Sequence, residues 1–68
     1  MDSDDQEFLT QVTSKPTLPG NYTLLLGHQL NRLMRLAGKP ENPSWGEQTW
    51  WAVRKDVIGD LIKEIRKN

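Results

Sequence analysis

Residues Ser44 to Trp51 read SWGEQTWW and contain every tryptophan of a 68-residue chain: Trp45, Trp50 and Trp51. How this stretch is read decides the fold. Ser44 and Glu47 have the S-x-x-E spacing of a capping box, directly after Pro43. That spacing predicts a long helix over 45–66. Trp50, Val57, Leu61 and Ile65 then form its apolar face, with Trp51, Ile58 and Ile62 to one side. Lys55, Gly59, Lys63 and Arg66 fall on the opposite, solvated side. Trp45 stands beside the cap, where its ring can fold over the loop that turns the chain back.

The size of the chain makes the three indoles matter. A domain this small buries only about 60% of the surface its unfolded form exposes. Ordering it costs on the order of 100 kcal/mol. Full burial of three tryptophans, at about 150–250 Å² each and about 25 cal/mol per Å², returns roughly 11–19 kcal/mol gross. No cysteine is present, so neither a disulfide nor a cysteine-based zinc site can stabilise the fold. The expectation is that the indoles are hidden, in this chain's core or in an interface.

Upstream of the tryptophans, Tyr22, Leu26, Leu30, Leu33 and Ala37 share one helical stripe, flanked by Leu25, Met34 and Leu36. This predicts a second helix over 22–37, capped by Asn21. Gly38 and Pro40 suit its end. Gly27, at the edge of the stripe, marks a close helix crossing, because glycine inside a helix otherwise costs about 1 kcal/mol against alanine. Leu24 points away from the stripe and widens the apolar surface. The segment SKPTLPGN, Ser14 to Asn21, is a chain breaker. Before it, Ser3 and Gln6 form a capping box, and Phe8, Leu9 and Val12 share a face. A short first helix over 4–13 follows, with residues 1–3 disordered.

The expected architecture is therefore all-α: one small domain over 1–68, an antiparallel helical hairpin plus a short N-terminal helix. At 1.5 Å per residue the third helix is about 33 Å long and the second about 24 Å. Leu61, Ile62 and Ile65 then lie on an overhang that the first helix or a second chain must cover. Two helices alone cannot close a core. A helix-turn-helix is disfavoured, since its two helices meet across a 3–4-residue turn and both connections here are longer.

Formal net charge is zero, but an acidic leader (Asp2, Asp4, Asp5, Glu7) precedes a mildly basic body. That is not the profile of a dedicated nucleic-acid binder. The leader is acidic where a signal peptide is basic and then apolar. No apolar run approaches the roughly 18 residues of a membrane span. These features, with the missing cysteines, point to the cytoplasm and away from a membrane. Asn21-Tyr22-Thr23 matches a glycosylation sequon, but the turn before it gives Asn21 a structural use.

Catalysis has little material. His28 is the sole histidine and stands among Arg32, Arg35 and Asn31. Asp56, Asp60 and Glu64 share a helical face but alternate with lysines, as on a solvated helix. No phosphate loop, cofactor motif or metal-ligand spacing is present, and a small-molecule substrate is not expected. Arg54 is the odd residue, a cation in the middle of the predicted apolar face. It either stacks on Trp50 or Trp51, meets Asp5 or Glu7, or extends its head to solvent along an apolar stem.

The expected function is a non-enzymatic protein-interaction module: an adaptor, inhibitor or small regulatory subunit. Its surface is centred on Trp45, Trp50, Trp51 and Arg54, with Leu61, Ile62 and Ile65. Tryptophan and arginine are the residues of interface hot spots. The partner is another protein or a second copy of the chain. One alternative is a small nucleic-acid-binding regulator that uses the basic face of the second helix, His28, Arg32, Arg35 and Lys39. Another is a homodimeric structural protein.

Overall fold

The structure, a computed structural model, describes residues 2–67. The elements run α1 (Ser3–Thr13), β1 (Tyr22–Leu26), α2 (Gly27–Leu36), β2 (Trp50–Arg54) and α3 (Lys55–Lys67). The two strands pair antiparallel. The fold is thus α+β, and the all-α expectation is corrected. The predicted second helix is a strand followed by a shorter helix. The predicted third helix is a loop, a strand and then a helix.

α1 lies close to the expected 4–13. Its cap is Asp2 rather than Ser3: the Asp2 carboxylate accepts from the Asp5 amide at 2.9 Å. Within the stretch 1–3 expected to be disordered, Asp2 is the cap and Ser3 the first helical residue; Met1 lies outside the described residues. Phe8, Leu9 and Val12 are buried, as their shared face requires. Asn21 does not cap a helix. It takes a left-handed φ of 65° after Gly20 and closes the tight turn in which Leu18 and Tyr22 pair.

α2 ends as its sequence implies. Gly38 has φ 76°. Its amide donates to the Arg35 carbonyl at 3.0 Å, and the Lys39 amide donates to the Met34 carbonyl at 2.9 Å. These two bonds form a Schellman motif. The start of α2 is capped by the loop that leads to β2. Gly27 donates to the Thr49 carbonyl and His28 to the Glu47 carbonyl, while the Leu26 amide donates to Gln29 Oε1 at 2.9 Å. The same loop is clamped from the side. Asn31 donates to the Asn42 carbonyl at 3.0 Å and accepts from the Asn42 amide at 2.8 Å.

Gly27 does mark a close approach, but its neighbour is this loop and not a helix. A β-carbon on Gly27 would run into the Gly46 carbonyl group and meet Trp45 O at 3.1 Å. The Ser44–Glu47 capping box does not form. Ser44 instead donates its amide and hydroxyl to Asn42 Oδ1.

One hydrophobic cluster joins all three helices and β1: Phe8, Leu9 and Val12, Leu25, Leu30 and Leu33, and Ile58, Leu61, Ile62 and Ile65, with Ala37 at the end of α2. The inner face of β1, Thr23 and Leu25, is fully buried against it. Among the described residues no helix is long and apolar enough to cross a membrane.

Candidate interaction surface

Among the described residues the sheet has two strands, and the outer edge of β2 pairs with no other strand. The register pairs Thr23 with Val53 and Leu25 with Trp51, and Leu24 with Ala52 between them. Side chains alternate across a strand. Thr23, Leu25, Trp51 and Val53 therefore share the face toward the helices. Tyr22, Leu24 and Leu26, with Trp50, Ala52 and Arg54, share the outer face.

That outer face is apolar and wet. Trp50 is 57% exposed and Leu24 41%, and Tyr22 and Leu18 are exposed beside them. The Lys15 ammonium lies 5.4 Å from the Trp50 ring centroid, within range of a cation–π contact. Lys15, Pro16, Leu18, Leu24 and Trp50 line an open groove of about 220 Å³. This is smaller than the ~300–1,000 Å³ of pockets that take small molecules.

The hydrogen-bond pattern says which backbone groups are left over. Gly27 donates to Thr49, and Lys55 donates to the Asn21 carbonyl at 2.8 Å. With the register, these bonds turn the amides and carbonyls of Trp51 and Val53 toward β1. The amides of Trp50, Ala52 and Arg54 point the other way, as alternation in an antiparallel ladder requires. No other strand among the described residues pairs with that edge.

The structure redistributes the residues expected at the interface. Trp50 and Trp51 are exposed, on opposite faces of β2. Trp45 is half-buried and packs against the core. Arg54 leaves the apolar helix face on which the helical reading put it. It sits on the outer sheet face and meets Asp56 at 3.5 Å, both side chains largely exposed. Leu61, Ile62 and Ile65 are core residues, at most 7% exposed. The shorter α3 has no overhang, and α1 brings Phe8, Leu9 and Val12 into the same cluster. Those three residues are therefore unavailable as an interface surface. Reading the sequence as helices missed Leu18 and Tyr22 as members of the surface; Leu24, read as a leucine that points away from the stripe, is 41% exposed.

On α2, His28, Asn31, Arg32 and Arg35 surround a shallow depression together with Glu41 and Glu47. Arg32 donates to Asp5 at 3.0 Å and its guanidinium lies 4.4 Å from the Phe8 ring centroid. Arg35 stands 3.8 Å from Glu41. Lys39 is exposed beyond the end of the helix. The basic stripe is thus interleaved with carboxylates. Among the described residues no group of three or more His, Asp and Glu side chains is placed to hold a metal ion. Compared with family models, curated proteins and solved structures, the chain matches none.

Proposed function

We propose that this chain is a protein-interaction module, with no catalytic step of its own, that binds partners on the outer face and free edge of its two-stranded sheet. An adaptor or small regulatory subunit working in the cytoplasm fits this reading. One observation carries it. A small chain holds Trp50, 57% exposed, on the same sheet face as the exposed Leu24 and Tyr22, with Trp51 also exposed on the same strand, at an edge that no other strand among the described residues pairs with. Exposed apolar surface of this kind marks association sites. Strand addition to an open edge supplies main-chain hydrogen bonds, and the alternate side chains supply specificity.

The nucleic-acid alternative draws less support. Arg32 and Arg35 already face Asp5 and Glu41, and a phosphate would have to displace both carboxylates.

Site-specific photocrosslinking in the native host tests the proposal. A photoreactive amino acid placed at Leu24 or Trp50, both on the outer face, is expected to form adducts with protein. The same group at Lys63, on the solvated side of α3, is the control. Adducts no more abundant at the sheet than at Lys63 would overturn the reading.

A further inference from the structure

The free edge of β2 has a sequence that complements itself. Along that edge the outer-face side chains run Trp50, Ala52, Arg54: an indole, a methyl group and a guanidinium. A two-fold rotation about an axis normal to the sheet, just outside the edge beside Ala52, sets a second β2 antiparallel to the first. Trp50 of each copy then stands opposite Arg54 of the other, and Ala52 meets Ala52. We propose that the occupant of this edge is a second copy of the same chain, joined through β2 to β2 about that axis into a continuous four-stranded sheet. The inference rests on the interaction-module reading and names its partner.

Three features select this pairing. Residues 50, 52 and 54 carry the edge-directed amides, so all three fall at hydrogen-bonded positions of the new ladder, which supplies at least about four main-chain bonds. Directly opposed side chains in such a pair have Cβ atoms about 5 Å apart, close enough for guanidinium to lie against indole. Lys15 lies over the Trp50 ring, but a ring has two faces. The exposed Arg54–Asp56 pair can exchange at little cost, since surface ion pairs are weak. On the inner face, Trp51 comes opposite Val53 of the other copy. Val53 already packs on the core, so the half-wet Trp51 gains an apolar neighbour.

Register is also specified. Sliding by two residues sets Trp50 against Ala52 and leaves Arg54 without an indole. The β1 edge is a poorer site, because Leu18 already pairs with Tyr22 there. The β2 edge has none of the usual protection: no proline and, apart from Arg54, no charge. The point group is the common two-fold, in which one patch meets itself.

Sedimentation velocity, cysteine trapping and a charge exchange test the proposal together. The wild-type mass is expected to rise from 7.9 kDa toward twice that as concentration climbs through about the micromolar range. Constant monomer mass at every concentration would overturn the self-pairing. If crosslinks from the sheet to other proteins persisted, the broader module reading would survive it.

The chain has no cysteine of its own, so Ala52→Cys introduces a single thiol beside the proposed axis, facing its symmetry mate across it. The expected separation of the two Cα atoms, about 5.5 Å, suits a disulfide. Fast oxidation to a linked dimer is expected for Ala52→Cys and not for Lys63→Cys. Equal rates would overturn the placement of the axis. Finally, Trp50→Arg alone opposes guanidinium to guanidinium and is expected to stay monomeric. Mixed with Arg54→Trp, each indole again faces a guanidinium, and a heterodimer is expected. Circular dichroism confirms that both variants fold. A folded Trp50→Arg variant that dimerises as well alone as in the mixture would overturn the register.

Discussion

Arg32 on α2 reaches Asp5 on α1 with a 3.0 Å hydrogen bond, and the side chains are only 33% and 22% exposed. The guanidinium also covers the Phe8 ring. This one contact links the acidic leader to the basic helix and holds α1 over the core. It is partly screened by solvent, so its worth is modest, about 0.5–1.5 kcal/mol. Asp5→Ala is expected to lower stability by that amount in a urea melt. The loss should shrink as salt is added, because screening weakens the wild-type pair. A salt-independent loss would mean that packing, and not the ion pair, is what the variant removes.

Two glycines should respond to alanine with opposite signs. Gly27 is buried where the backbone of Trp45 and Gly46 crosses α2, and backbone cannot step aside as a side chain can. Gly27→Ala is expected to cost about 1–3 kcal/mol or more, and to disturb the loop that delivers β2. Gly59 lies within α3 with nothing near its missing β-carbon. Gly59→Ala is expected to stabilise by about 0.5–1 kcal/mol through helix propensity and the lost freedom of the unfolded chain. Thermal melts of the two variants check both signs.

The exposed indoles can be told from the core by mutation. Trp50→Ala removes a side chain that is 57% exposed, whereas Leu33→Ala hollows out a fully buried one. The first is expected to change monomer stability by no more than about 1 kcal/mol, and the second to cost about 2–5 kcal/mol. Acrylamide quenching of the dilute protein should find Trp50 and Trp51 more accessible than the half-buried Trp45. Three protected indoles in the monomer would contradict the placement of β2.

These outcomes also show which parts of the fold were legible in the sequence. The first helix was, because Phe8, Leu9 and Val12 fit one period and prolines close it off. The Schellman end of α2 was, because Gly38 leaves few other choices. The strands were not. In Tyr22–Leu26 the run of three leucines satisfies a helical stripe and a strand alternation equally. What settles the matter is pairing with Trp50–Arg54, and no local window contains that pairing. The signals for strand were Tyr22, Thr23, Trp50, Trp51 and Val53, all β-formers. Of the candidate surface, Trp50 and Trp51 were singled out by residue type, and Arg54 by its place in a helical period that the structure replaces with a strand. Leu61, Ile62 and Ile65 were misassigned because a helix drawn too long left them uncovered.

Thr23 offers the sharpest check on the core. It faces the helices from β1, is 1% exposed, and its hydroxyl has no hydrogen-bond partner among the described residues. A buried hydroxyl in that position carries a desolvation penalty of about 1–3 kcal/mol. Valine has nearly the same shape, keeps the β-branch that suits a strand, and has no polar atom to strand there. Thr23→Val is therefore expected to raise stability by about 1 kcal/mol, a gain of several degrees in melting temperature for a domain of this size. Thr23→Ser keeps the hydroxyl and opens a methyl-sized gap, so it should lose about 1 kcal/mol instead. The opposite order, with valine the less stable, would show that the hydroxyl is bonded in solution and that the packing of β1 against α3 is looser there than in the structure.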